Sequence, residues 1–259
     1  MIDRHAIKQE AKAINRTAAV NPIGFTLLFY VVLLALVALR SYFDSASVAE
    51  TISKYPLMYD LPEFMQDLCD WLLHFLGSLP EFPTVIITFV SLVTVFLSML
   101  INAGYAIYIL GIRRGEKMPC SSLFEGFAYA GKVILLFLLM EIFIILWSFL
   151  FVIPGIIAGY RYSFALYNLI ENPELSAMEA IRLSKQQTSG YKWKLFVLDL
   201  SFIGWYLLSG LTCGILMIWL TPWMEQAKVG YFRAIKGEKH IGYFPPEEND
   251  GQFKPWDER

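Results

Sequence analysis

The chain has 259 residues, 56% of them hydrophobic and 17% charged, with a formal net charge of −2 and a mean hydropathy of +0.50. Soluble domains carry about 25% charge, so this composition excludes an ordinary water-soluble fold and points to a bilayer. The cysteines (Cys69, Cys120, Cys213) and histidines (His5, His74, His240) are scattered and show no CxxC spacing, which argues against a metal centre or a disulfide framework.

Residues 3–18 read as an amphipathic helix. Ile7, Ala11 and Ile14 share one face, and Arg4, Lys8, Lys12 and Arg16 flank it, as on a helix lying against an anionic membrane surface. Asn21-Pro22 breaks that helix, and no cleavable signal peptide is read ahead of the first apolar run. The apolar runs predict six spans, at about 23–39, 83–112, 133–152, 156–170, 195–209 and 215–227. An outer loop, 41–82, separates the first two. Pro154-Gly155 is read as the turn between spans three and four, and Gly210 to Gly214 as the turn between five and six. Residues 1–239 form a single membrane domain in this reading, and 240–259 form a polar, flexible tail.

With the N-terminus in the cytoplasm, all of the 21 Lys and Arg residues except Arg40, Lys54 and Arg161 fall on the cytoplasmic side. The outer loop carries Lys54 against Asp44, Glu50, Asp60, Glu63, Asp67, Asp70 and Glu81. The positive-inside rule therefore predicts cytoplasmic termini at both ends.

The order surface helix, then helical hairpin, recurs three times: 3–112, about 119–170 and about 175–235. Ser122-Leu123-Phe124-Glu125 and Ser176-Ala177-Met178-Glu179 both have the spacing of a capping box ahead of a span. Arg114-Gly115-Glu116-Lys117 closes the first copy much as Lys236-Gly237-Glu238-Lys239 closes the third. The expectation is an all-α fold of six transmembrane helices with cytoplasmic amphipathic helices and a three-fold internal repeat.

A charge within a span costs about 2.5–3.5 kcal/mol on insertion scales, so each one needs a reason. Glu141, Arg161 and Asp199 stand out, and with Asn102 and Tyr160 they make up a candidate intramembrane polar site. Spans three and four form a hairpin, so Glu141 and Arg161 are expected either to pair or to share a polar cavity. Asp199 either lines the same site or reaches the interface near Lys194. A second feature lies in the outer loop. Leu61, Phe64, Leu68, Trp71 and Phe75 recur at helical spacing, between Pro62 as a start and Gly77 as a stop. Asp60, Glu63, Asp67 and Asp70 occupy the other flank. Surface helices that seek anionic lipid are basic, so this acidic one is either a solvated lid or a face for a cationic partner.

No HExxH, P-loop, GxSxG or glycine-rich nucleotide fingerprint occurs. The basic residues are not interleaved with stacking aromatics, so nucleic acid is not an expected partner.

Several stretches carry a resemblance: Ile153-Pro154-Gly155-Ile156-Ile157, Tyr162-Ser163, Glu171-Asn172-Pro173-Glu174-Leu175-Ser176-Ala177 and Leu195-Phe196-Val197-Leu198-Asp199-Leu200-Ser201-Phe202-Ile203-Gly204-Trp205. Arg4, Ile7, Lys8, Ala11 and Lys12 add to it at the start, with Thr221-Pro222 and Tyr231-Phe232 towards the end. Together they resemble an uncharacterised family of bacterial integral membrane proteins, domain of unknown function 975. That family is similar to the membrane domain of some glycerophosphodiester phosphodiesterases, whose soluble catalytic domain has no counterpart here. The resemblance implies a protein of the bacterial cytoplasmic membrane. The expected function is non-enzymatic, needs no cofactor and involves membrane lipids, with a cationic peptide or another membrane protein as further partners. It would serve envelope homeostasis or stress resistance; the alternative is a small transporter or a lipid or peptide carrier built on the intramembrane polar site.

Overall fold

A computed structural model describes residues 4–18, 20–44, 67, 70, 71, 74, 75, 82–212 and 214–237. The described residues are helical throughout their regular structure, with no strand among them. In chain order the helices are α1 (Arg4–Thr17), α2 (Pro22–Phe43), α3 (Thr84–Arg113), a 3₁₀ segment (Cys120–Tyr129), α4 (Ala130–Leu150), α5 (Val152–Tyr162), α6 (Ala165–Glu171), α7 (Ala177–Gln187), α8 (Lys192–Leu200), α9 (Ile203–Leu211) and α10 (Met217–Lys236).

Four stretches are long and apolar enough to cross a membrane: Pro22–Phe43, Thr84–Arg113, Cys120–Phe149 and Lys192–Leu211. They coincide with the first, second, third and fifth of the expected spans. The expected fourth span, 156–170, is divided instead into α5 and α6, which break at Ser163-Phe164. The sixth lies inside α10, which carries Pro222 in its interior. Large apolar side chains such as Val85, Phe89, Ile142, Ile145, Phe149, Leu207 and Leu211 are exposed along these helices. A run of apolar exposure of this kind suits a lipid surround and not water.

Local chemistry explains most of the boundaries. Asn21 caps α2, its side chain accepting from the Ile23 N–H at 3.0 Å, and Pro22 occupies the first turn, where its missing N–H is no loss. Gly237, at φ 73°, closes α10 in the left-handed conformation that glycine adopts without penalty. Ser176 and Glu179 form the expected capping box at α7. The matching box at Ser122 and Glu125 is absent: the buried Ser122 hydroxyl donates to the Pro119 carbonyl at 2.6 Å, and the segment winds as a 3₁₀ helix. The turn between α4 and α5 falls at Phe151, in extended backbone, one turn ahead of the expected Pro154-Gly155. Pro154 is instead accommodated near the start of α5, where a proline is tolerated.

The short amphipathic elements pack against protein. Ile7, Ala11 and Ile14 of α1 are buried, and α1 lies along α10, near the other end of the chain. The 3₁₀ segment lies on α3, so closely that a Cβ on Gly104 would sit 1.9 Å from the Leu123 carbonyl oxygen, and one on Gly126 would sit 2.2 Å from that of Leu100. Surface helix α7 lies on α6 and α4, burying Ala177, Ala180 and Ile181. Each of these three elements therefore rests on a helix that belongs to a different hairpin from the one it precedes.

Candidate functional site

Pro222 removes one backbone hydrogen bond from the interior of α10. One turn further on, Glu225 and Lys228 are paired at 3.0 Å with spacing i, i+3. The other carboxylate oxygen of Glu225 accepts from the Tyr167 hydroxyl of α6 at 2.9 Å. Tyr160 of α5 donates its hydroxyl to Asp199 of α8 at 3.0 Å. Lys228 lies within electrostatic range of Asp199 as well as Glu225, and Tyr206 of α9 lies within range of all three. Two hydrogen-bonded groups, Tyr160–Asp199 across α5 and α8 and Tyr167–Glu225–Lys228 across α6 and α10, thus lie within electrostatic range of one another, with Tyr206 of α9 nearby. The side chains of Glu225 and Lys228 keep 27% and 34% of their surface open, so the pair is partly exposed and not sealed in the core.

A second polar layer adjoins them. Thr26 and Tyr105 share a hydrogen bond of 2.9 Å, and Tyr30 and Thr221 one of 2.7 Å. Next to Glu225 in sequence, the Gln226 amide donates to the Ile109 carbonyl at 2.9 Å, and its own carbonyl accepts from buried Arg113 at 3.1 Å. Arg113 also pairs with Glu10 of α1 at 2.7 Å. Trp223 donates its indole N–H to the Lys8 carbonyl at 3.0 Å, and the Lys8 ammonium stands 3.9 Å above the Phe202 ring. Surface helix α1 is therefore bound to both chain breaks that flank the two groups, Ser201-Phe202 and the Pro222 turn.

Of the five residues marked in the sequence, two meet here, Tyr160 and Asp199. Asn102 is exposed and donates back to the Ser98 carbonyl of its own helix at 2.7 Å. Glu141 is exposed on α4 and forms no ion pair with Arg161 among the described residues. The two sit equally far from the turn at Phe151, but helical side chains lean towards their own N-terminus. In an antiparallel hairpin that sends Glu141 one way and Arg161 the other. The Arg161 guanidinium accordingly reaches towards the turn and lies 5.9 Å from the centre of the Trp147 ring. In the outer loop, Asp67 and Asp70 are exposed on helical residues, and Trp71 stacks on Phe75 at 5.8 Å. Asp60 and Glu63 lie outside the described residues, as do Cys69 and Cys213.

Glu225, Lys228, Tyr167 and Tyr206 were not marked in the sequence. The signal available was the i, i+3 charge pair directly after a helix-interior proline. Among the described residues no group of three His, Cys, Asp or Glu side chains is arranged to hold a metal ion.

Residues 150–239 match a family described as protein of unknown function (DUF975). The matched region holds α5 to α10 and with them every member of the two groups. The resembling residues in α1 lie outside it. No curated protein and no solved structure matches the chain.

Proposed function

We propose that this chain is a non-enzymatic binding module of the bacterial cytoplasmic membrane, with six spans in three repeated units and both termini in the cytoplasm. Its partner is a lipid, a peptide or another membrane protein, and the role served is envelope homeostasis or stress resistance. The observation that carries the proposal is the pair of bonded polar groups inside the helical bundle, Tyr160–Asp199 and Tyr167–Glu225–Lys228. Groups this polar are costly to place within an apolar bundle, and they are retained where they line a path or a site. The three-unit reading is supported by the way α1, the 3₁₀ segment and α7 each rest on the return leg of a neighbouring hairpin. The likeness to the membrane domain of glycerophosphodiester phosphodiesterases belongs to the same proposal and is consistent with a lipid-facing role.

The test is to extract the detergent-purified full chain and identify its co-purifying lipids and peptides by mass spectrometry. A defined species present in the wild type and missing from Asp199→Asn and Glu225→Gln is the expected result. Bulk lipid in equal amounts in all three proteins would defeat the proposal.

A second reading, a small carrier, is favoured by the helix breaks at Ser163-Phe164 and Ser201-Phe202 and by Pro222, because interrupted helices line cavities. It requires these polar groups to reach water. In a background lacking Cys69, Cys120 and Cys213, a cysteine at position 228 that never reacts with a water-soluble thiol reagent, from either face, rules the carrier out.

A further inference from the structure

Among the described residues Arg161 has no counter-charge at ion-pair distance. Its Nε is buried and has no hydrogen-bond partner. Its one side-chain contact of note is the face of Trp147. The backbone beneath it is fixed: its carbonyl accepts from Ser184 of α7 at 2.8 Å and from Thr188, the residue that caps α7, at 3.3 Å. The backbone that carries the guanidinium is therefore fixed, and its Nε is left without a partner.

Its depth narrows the choice of ligand. At about 1.5 Å per residue, the Arg161 backbone lies roughly 15 Å from the turn at Phe151, and Trp147 roughly 6 Å from it. The side chain leans towards the turn, so the guanidinium lies beside Trp147, at what is in the proposed topology the outer end of the hairpin. The neighbouring surface is apolar and open, with Ile153 70%, Phe151 74% and Phe149 86% exposed. A guanidinium offers up to five donors in a planar fork that matches phosphate oxygens two at a time. A guanidinium fork beside open apolar surface suits a molecule that carries a phosphate on an acyl body.

We propose that Arg161 and Trp147 form a phosphate-type oxyanion site at the mouth of the α4–α5 hairpin, filled by the headgroup of a phospholipid. Arg161 takes two phosphate oxygens, Trp147 packs beside them, and the acyl chains run away from the turn along the exposed Leu146, Ile145 and Ile142 of α4. The site shares no residue with the Asp199 and Glu225–Lys228 groups, so either proposal can fail while the other stands.

The experiment is native mass spectrometry of the full chain in mild detergent, titrated in separate arms with a phosphatidylglycerol, with a diacylglycerol of the same acyl chains, and with inorganic phosphate. The expected result is a saturable phosphatidylglycerol adduct, about tenfold weaker in Arg161→Gln and several-fold weaker in Trp147→Phe, with no comparable diacylglycerol adduct. Arg161→Lys, which keeps the charge and loses the fork, should fall between. It also serves as the test if Arg161→Gln does not fold. Arg161-dependent binding of inorganic phosphate without the lipid would uphold the oxyanion site and change its source. Diacylglycerol bound as well as phosphatidylglycerol, an adduct unchanged in the Arg161 variants, or a protein dimer in place of the adduct would overturn the proposal.

Discussion

Arg113 is a guanidinium with only 3% of its side chain exposed, and among the described residues its carboxylate partner is Glu10 of α1. Removing one member of a buried pair strands the other, at a cost of about 3–5 kcal/mol. Glu10→Ala should therefore lower stability by about 3 kcal/mol in a detergent titration followed by circular dichroism. Lys12→Ala, exposed on the same helix, should change it by no more than about 0.5 kcal/mol. Equal effects would show that the pair is not what holds α1. At Glu179, hydrogen bonds from the Ser176 backbone N–H and then from its hydroxyl hold the carboxyl below its usual range. Its contribution to the α7 cap is fully present above the unfolded carboxyl value of about 4.3 and is lost as pH falls through the lower folded value. A thermal melt should separate wild type from Glu179→Gln at neutral pH and show the two converging in acid. A gap that persists there would mean the cap does not depend on ionisation.

Helix contacts here are set as much by missing side chains as by present ones. Gly104→Ala or Gly126→Ala would drive a methyl into backbone carbonyls of the opposing element, at a cost of about 1–3 kcal/mol. Gly159→Ala, on a helix with open space around it, should be neutral or gain up to about 1 kcal/mol. The same melts decide both, and a tolerated Gly104→Ala would mean that the 3₁₀ segment can move away. The break between α5 and α6 depends on another helix: the Ser184 hydroxyl donates to the Arg161 carbonyl and accepts from the Phe164 N–H. Ser184→Ala orphans the Phe164 N–H, while the Arg161 carbonyl keeps Thr188 as a donor, and should cost about 1–3 kcal/mol, read as faster amide exchange at Phe164; unchanged exchange would show that the break holds without Ser184. These contacts mark where the sequence stops being legible. The Ser176–Glu179 cap could be read because its partners are neighbours in the chain. The identical spacing at Ser122–Glu125 misleads, because the close approach to Gly104, which no local pattern encodes, holds that stretch as a 3₁₀ segment. Asp199 was visible as a charge in an apolar run, whereas Glu225 and Lys228 were hidden by the polar end of their own helix. Glu141 and Arg161 were linked by depth alone, without the tilt of their side chains.

Across the whole molecule, apolar length and helical content could be read directly, since four of the long apolar runs are helices able to cross a membrane. The two return legs could not be read so simply. They are interrupted by a break or a proline, and their polar residues serve the two bonded groups. The proposed orientation has its own test. In a background without the native cysteines, an impermeant thiol reagent applied to intact cells should label Lys54→Cys and spare Lys12→Cys until the membrane is opened. The reverse pattern would invert the topology.

Because α1 rests on α10, the hydrogen bond from Trp223 to the Lys8 carbonyl joins residues 215 positions apart. On a ribosome adding about 5–20 residues per second, the first helix is made roughly 10 to 40 seconds before its resting place exists. Through that interval Ile7, Ala11 and Ile14 have no protein surface to cover them, and the membrane itself is the nearest shelter. In the proposed orientation the basic flank of α1 then acts in time as well as in space: it keeps the newborn N-terminus on the cytoplasmic leaflet until α10 arrives to claim it.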